Sequence, residues 1–338
     1  LGDIGTNNSD SQIFEALDIQ STGKLNIHGE LNIQSTEFDF SKLNSIDLHT
    51  DLTLGSTDVL AAVNFGSASI NGTHDLSLFT KELTLSSVGN NIALQDLNIF
   101  NVSDKALVLD NDITVVGSIN INSTSLELDN SITNTGLAVN ISTIGDLIMK
   151  KDSVINADYS DITLTSTTGN IGIGKLFAGN SVTVRSELGY LYNNINDYVS
   201  NDSTSTNITS TNQDLYGLVN IGESVSSPIV INALNGGSIT AESSGTIYIA
   251  NLANARMNTT GRVIDGSTGG ETATIDAFTQ FKLSSLNTTN LPTLNSNLEL
   301  ISNQTWQVDE DESIRKIKSP SSAPSIYYSR NGWRLGHK

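Results

Sequence analysis

Residues 162–186 read "ITLTSTTGNIGIGKLFAGNSVTVRS". Three short alternations, Ile162 with Leu164, Ile171 with Ile173 and Val182 with Val184, are separated by small polar turns. Aliphatic residues at i and i+2 share one side of an extended strand, so each pair specifies a strand with one buried side. The first and third pairs lie about 20 residues apart, and Gly and Asn at "TGN" (168–170) supply turns between them.

The same unit recurs in both directions. Leu17/Ile19, Leu25/Ile27, Leu31/Ile33, Ile46/Leu48 and Leu52/Leu54 precede it, followed by Leu76/Leu78, Leu83/Leu85, Ile92/Leu94, Leu107/Leu109, Ile113/Val115, Ile119/Ile121 and Leu126/Leu128. Strands this short cannot anchor a sandwich, whose strands usually run to five or six residues. They suit a coil in which three short faces point into a narrow interior and neighbouring coils exchange the backbone hydrogen bonds. The fold expected is all-β: a three-faced parallel β-helix of about 20 residues per coil. Thirteen to fifteen coils at about 4.8 Å would make a rod of roughly 60 to 75 Å. A set of antiparallel hairpins is the competing arrangement, since Asn-Gly turns serve those too. Corner glycines, at "TGN" and at "VGNN" (88–91), are expected to supply positive φ.

Composition narrows the function. The 338 residues contain 17 Lys plus Arg against 36 Asp plus Glu, a formal net charge of -19 that repels phosphate backbones and anionic lipid. Nucleic acid is therefore not an expected partner, and without an 18-residue apolar run neither is membrane insertion. Cysteine is absent, which excludes disulfides and cysteine-based zinc sites. The first residues, "LGDIGTNNSDS", carry no export signal and already look like part of a repeat, so a processed or partial chain is expected.

Three stretches break the pattern. Residues 187–217 are polar and contain Tyr190, Tyr192, Tyr198 and Tyr216, and are expected to project as a loop between solenoid segments 1–186 and 218–305. The regularity falters again over 254–278. Residues 306–338 hold a charge block that changes sign, and Trp306, Ile314, Ile317, Tyr327, Tyr328 and Trp333 are expected to form a C-terminal cap or docking segment.

The body, above all "DITLTSTTGNIGIGKLFAGNSVTVRS" at 161–186, resembles the repeat region of filamentous-haemagglutinin-like bacterial exoproteins, over roughly residues 1–300. The family's N-terminal secretion motifs have no counterpart here, and the segment beyond Trp306 departs from it. The resemblance implies a right-handed parallel β-helix in an extracellular or cell-surface protein that adheres or builds filaments. Implied partners are the protein itself, neighbouring subunits, and host-cell or matrix glycans.

Chemistry has few candidates, and no enzyme activity, cofactor or metal is expected. A carbohydrate-active β-helix would need two carboxylates flanking a cleft, about 5 to 9.5 Å apart. Asp110 with Asp112 and Asp158 with Asp161 are the available pairs, with Lys150, Lys151 or Arg185 as the basic residue of a lyase. All four aspartates adjoin turns, where Asp ordinarily caps backbone. His28, His49, His74 and His337 follow no ligand spacing. The "DEDE" run at 309–312 could hold a hard cation or pair with Arg315, Lys316 and Lys318. Sequons at Asn71, Asn101, Asn122, Asn140, Asn207, Asn258 and Asn303 could accept sugar. Outward threonines such as Thr163 and Thr165 are too irregularly repeated for an ice-binding array.

Overall fold

The alternations of 162–186 are strands. Ile162–Ser166, Ile171–Ile173 and Lys175–Ala178 follow one another, and Ser181–Ser186 then returns parallel to the first, with Ile162 opposite Val182 and Leu164 opposite Val184. Three strands thus close one coil. The third is "KLFA", hidden in the sequence because only Leu176 and Ala178 turn inward while Phe177 lies out in solvent.

The structure, a computed structural model, describes residues 13–252 apart from 15–16, 21, 29–30, 196–204 and 225. Beyond these it describes the strands Arg256–Asp265, Ala273–Ile275, Trp306–Val308, Ile314–Lys316, Ser325–Ser329 and Gly332–Gly336.

Three parallel stacks form the solenoid. Face A runs from Ile13–Phe14 through Leu31–Ser35, Leu52–Leu54, Leu76–Thr80, Leu97–Asn101, Ile119–Ser123, Val139–Thr143, Ile162–Ser166, Ser181–Ser186 and Asn212–Gly217. It continues into Ser238–Glu242, Arg256–Thr260 and Ala273–Ile275. Face B includes Leu107–Leu109, Leu126–Leu128, Leu147–Met149, Ile171–Ile173 and Leu191–Asn193. Face C includes Ile113–Val115, Ser131–Asn134, Val154–Ala157, Lys175–Ala178, Ile208–Ser210 and Ile229–Ala233. Hydrogen-bonded neighbours in adjacent coils are typically separated by 19 to 24 residues. The parallel register excludes the hairpin alternative for this body.

Packing follows the alternation. Ile162, Leu164, Ile171, Ile173, Val182 and Val184 are wholly buried, as are their counterparts in the coils before and after. Each such side chain contributes about 1.5–3 kcal/mol of apolar burial, and the column has no break along its length. The N-terminal coils add a stack of rings inside: Phe40 lies 6.2 Å from Phe38 and 5.4 Å from Phe65.

Four expectations need correction. Ile92 points to solvent at 48% exposure, and Val88 takes the inward place, bridging Ile70 and Ile113. Gly89 has the expected positive φ of 72°, but Gly169 does not; it is required because a Cβ there would overlap the backbone of Gly145 and Asp146 in the coil below. The stretch 187–217 is not one projecting loop, since Leu191–Asn193, Ile208–Ser210 and Asn212–Gly217 all take solenoid places. Tyr198, within 196–204, lies outside the described residues. Over 254–278 the backbone keeps the coil, because Arg256–Asp265 pairs parallel with Ser238–Ile249.

The C-terminal segment changes pairing mode. Trp306–Val308 pairs antiparallel with Ile314–Lys316, and Ser325–Ser329 with Gly332–Gly336. That change explains why the repeat pattern ends before Trp306.

Candidate functional site

The polar residues of the solenoid fall into columns at the corners, and these columns decide what the candidate residues do. At the corner entering face A, an Asp or Asn side chain accepts a hydrogen bond from backbone N–H in the next coil. Asp51 Oδ1 accepts from Asp75 N and Asp75 Oδ1 from Asp96 N, both at 3.1 Å, and Asp96 Oδ1 accepts from Ser118 N. Asp161 Oδ1 repeats this, accepting from Ser181 N at 3.0 Å and from Asn180 Nδ2 at 2.6 Å. At other corners Asp112 serves Ser131 N, Asp146 serves Asn170 N, and Asn220 serves Thr246 N. A turn leaves N–H groups without strand partners, and a short acidic or amide side chain one coil away satisfies them.

A second column lies inside, at the exit of face A. Thr80, Asn101, Ser123, Thr143, Ser166 and Ser186 stand in register and are buried. Ser166 Oγ donates to Gly145 O at 2.7 Å and accepts from Gly169 N at 3.0 Å. Ser186 Oγ repeats the arrangement one coil on, donating to Gly169 O and accepting from Gly189 N. The Ser-x-x-Gly spacing thus uses both capacities of the hydroxyl to join consecutive coils.

Against these columns the candidate catalytic residues find structural employment. Of the Asp110/Asp112 pair, Asp112 is a corner acceptor and Asp110 Oδ1 takes Asn111 Nδ2 at 2.7 Å. Of the Asp158/Asp161 pair, Asp161 is a corner acceptor and Asp158 is exposed. Lys150 is exposed and pairs with Asp129 at 3.1 Å and Glu127 at 3.5 Å; those carboxylates hold its ammonium pKa above the usual range. Arg185 bonds Glu187 at 2.5 Å and lies 4.2 Å over the Tyr216 ring. No aspartate pair, basic residue and recess come together around these positions.

The histidines divide. His28 and His49 stack in adjacent coils with ring centroids 4.2 Å apart, and His74 Nδ1 lies 3.4 Å from Asp51 Oδ1. Among the described residues no group of three or more His, Cys, Asp or Glu side chains could hold a metal ion. His337 and the 309–312 run lie outside the described residues.

The tyrosines of the 187–217 stretch are separated by the coil. Tyr190 and Tyr192 lie 5.5 Å apart on face B, where the Tyr192 ring covers Gly172 and burial raises the phenol pKa. Tyr216 is on face A, under Arg185.

What sequence reasoning missed is the polar neck where 196–204 leaves the coil. Asn207 is wholly buried. Its Nδ2 donates to Ile173 O and Asn193 Oδ1 at 2.9 Å and to Gly174 O at 3.2 Å, while its Oδ1 accepts from Val230 N at 2.9 Å. Asn193 Nδ2 donates to Pro228 O, and Asn193 Oδ1 also accepts from Ile195 N. In the sequence Asn207 resembles any other sequon asparagine; only its place before "ITS" hints at a coil entry. Asn71 and Asn101 are likewise buried, leaving Asn122 and Asn140 as exposed sequons among the described residues.

No protein-family model matches the chain, and neither a curated protein nor a solved structure does. The parallel β-solenoid therefore stands on the coil geometry itself.

Proposed function

We propose that the chain is a segment of an extracellular structural rod in a bacterial surface or filament-forming protein, with adhesion or self-association as its use. The observation that carries this reading is the unbroken interior column from Phe38 to Ile249, closed coil after coil by side chains whose hydrogen-bonding capacity goes to the next coil. Such a body supplies length and stiffness, because every coil rests on its neighbours and bending would strain all three stacks together. The outward Asn, Ser and Thr residues and the net charge of -19 keep a long exposed surface hydrated. Among partners, a second copy or a matrix glycan fits an acidic, hydroxyl-rich surface better than a polyanion does.

Immunogold electron microscopy of intact source cells, with antibody raised against residues 97–186, tests the reading. Label on fibres or on the outer surface is expected. Label confined to the cell interior would refute the proposal, and isotropic particles in the purified protein would refute the rod itself.

A further inference from the structure

Face A carries two outward columns of side chains. Thr53, Ser77, Asn98, Asn120, Asn140, Thr163 and Thr183 form the first, and Phe79, Phe100, Asn122, Ser142 and Thr165 the second. Neither column contains a charge until Arg185, Asp214 and Glu242 farther along. In a chain with 36 acidic residues, this face over seven coils is free of the repulsion that the rest of the rod would bring to a second copy.

Two further observations point to a protein occupant. The corner leaving this face exposes apolar side chains, Val102 at 48% and Ile144 at 58%, beside Phe100 at 36%. The amides are already held: Asn120 Nδ2 donates to Asn98 Oδ1 and Asn140 Nδ2 to Asn120 Oδ1, each at 3.0 Å, and Asn98 Nδ2 reaches Ser77 Oγ at 3.4 Å. Little side-chain entropy remains to be lost on contact, and charge depletion beside aromatic and aliphatic groups is the composition of an interface core.

We infer that face A between Thr53 and Thr183 is a lateral self-association surface, occupied by the same face of a second copy. An isologous antiparallel pair sets the Val102/Ile144 edge of one copy against that edge of the other, with amide ladder facing amide ladder. Seven coils at about 4.8 Å and five-residue strands at about 3.3 Å per residue give roughly 500 Å² per partner. The total of about 1,000 Å² sits at the lower limit of specific interfaces, so the pairing is weak and concentration-dependent. Because both copies carry net negative charge, added salt strengthens it. This deepens the rod reading by naming a partner, and rests on that reading for its purpose.

Sedimentation equilibrium of the full chain, at several protein concentrations and two ionic strengths, is the test. Expected is a monomer–dimer equilibrium that shifts toward dimer with salt. Asn120→Lys and Ile144→Lys should each weaken it at least tenfold, whereas Thr114→Lys, outward on face C, should not. Ile144 is already in solvent, so that variant keeps its fold even where Asn120→Lys disturbs the ladder. A wild-type chain that stays monomeric throughout, or a Thr114→Lys effect as large as that of Ile144→Lys, overturns the inference. A monomer that is still rod-shaped by electron microscopy leaves the rod reading standing.

Discussion

Asn207 Nδ2 donates to Asn193 Oδ1 at 2.9 Å, joining the last residue of a face B strand to the entry of the following face C strand. The two residues are the neck of the coil that holds 196–204. With Asn207 Nδ2 also reaching the carbonyls of Ile173 and Gly174, the neck is pinned to the coil below it.

Asn207→Ala should therefore destabilise the fold by about 3 kcal/mol, since buried carbonyls and the Val230 N–H lose their partner together. Chemical denaturation read by circular dichroism measures it. A loss no larger than that of an exposed Asn122→Ala control would show that the neck does not hold the coil.

Gly169→Ala should cost about 2 kcal/mol, because its Cβ would overlap the Gly145 and Asp146 backbone, which has no rotamer by which to move away. Gly145→Ala is the contrast: its nearest neighbours would be Thr124 O at 3.3 Å and Ser125 Cβ at 3.7 Å. Melting temperatures of the two variants should differ clearly, with Gly145→Ala near wild type. Equal losses would mean that coil spacing relaxes around the added methyl.

Asp75 offers a test by pH. Partial burial, then the charges of Asp96 and Asp51, raise its carboxyl pKa above the usual range. The folded chain thus binds this proton more tightly than the unfolded chain, so its favourable contribution is present at acid pH and is lost as pH rises through the raised value. Asp75→Asn keeps the acceptor for Asp96 N while removing the repulsion. The variant should melt higher than wild type at neutral pH and low salt, with the gap closing as pH falls or salt rises. A gap independent of both would contradict the charge argument.

Burial also sorts the sequons. If the chain is expressed through a glycosylating secretory route, site mapping by mass spectrometry should find sugar at Asn122 in folded material and none at Asn101 or Asn207. Glycan at Asn207 in a protein with wild-type melting would be incompatible with its four hydrogen bonds.

Legibility in the sequence tracked the chemistry of the inward residue. Where both inward positions are aliphatic, as at Ile119/Ile121 or Leu126/Leu128, strand and face are plain from the alternation, and both pairs are buried. Where an inward position is polar, as at Asn193, Ser210 and Gln213, the alternation vanishes and 187–217 looks like a loop. The Ile92/Leu94 pair failed for the opposite reason. Asn71 Oδ1 captures Asn91 N at 3.0 Å and sets a corner there, so an aliphatic residue in an apparent strand turns outward.

By itself the sequence determined the architecture, because a period of two with a turn every few residues, renewed every twenty or so, leaves a short chain face no way to bury itself except against a copy one coil away. Tertiary structure decided the roles of the polar residues. Asp161 becomes a corner acceptor, Ser166 an interior link and Asn120 a rung of an outward ladder only through partners 20 to 22 residues distant. A hydrogen bond is fixed by the position and direction of both groups, and for these residues the second group lies in another coil.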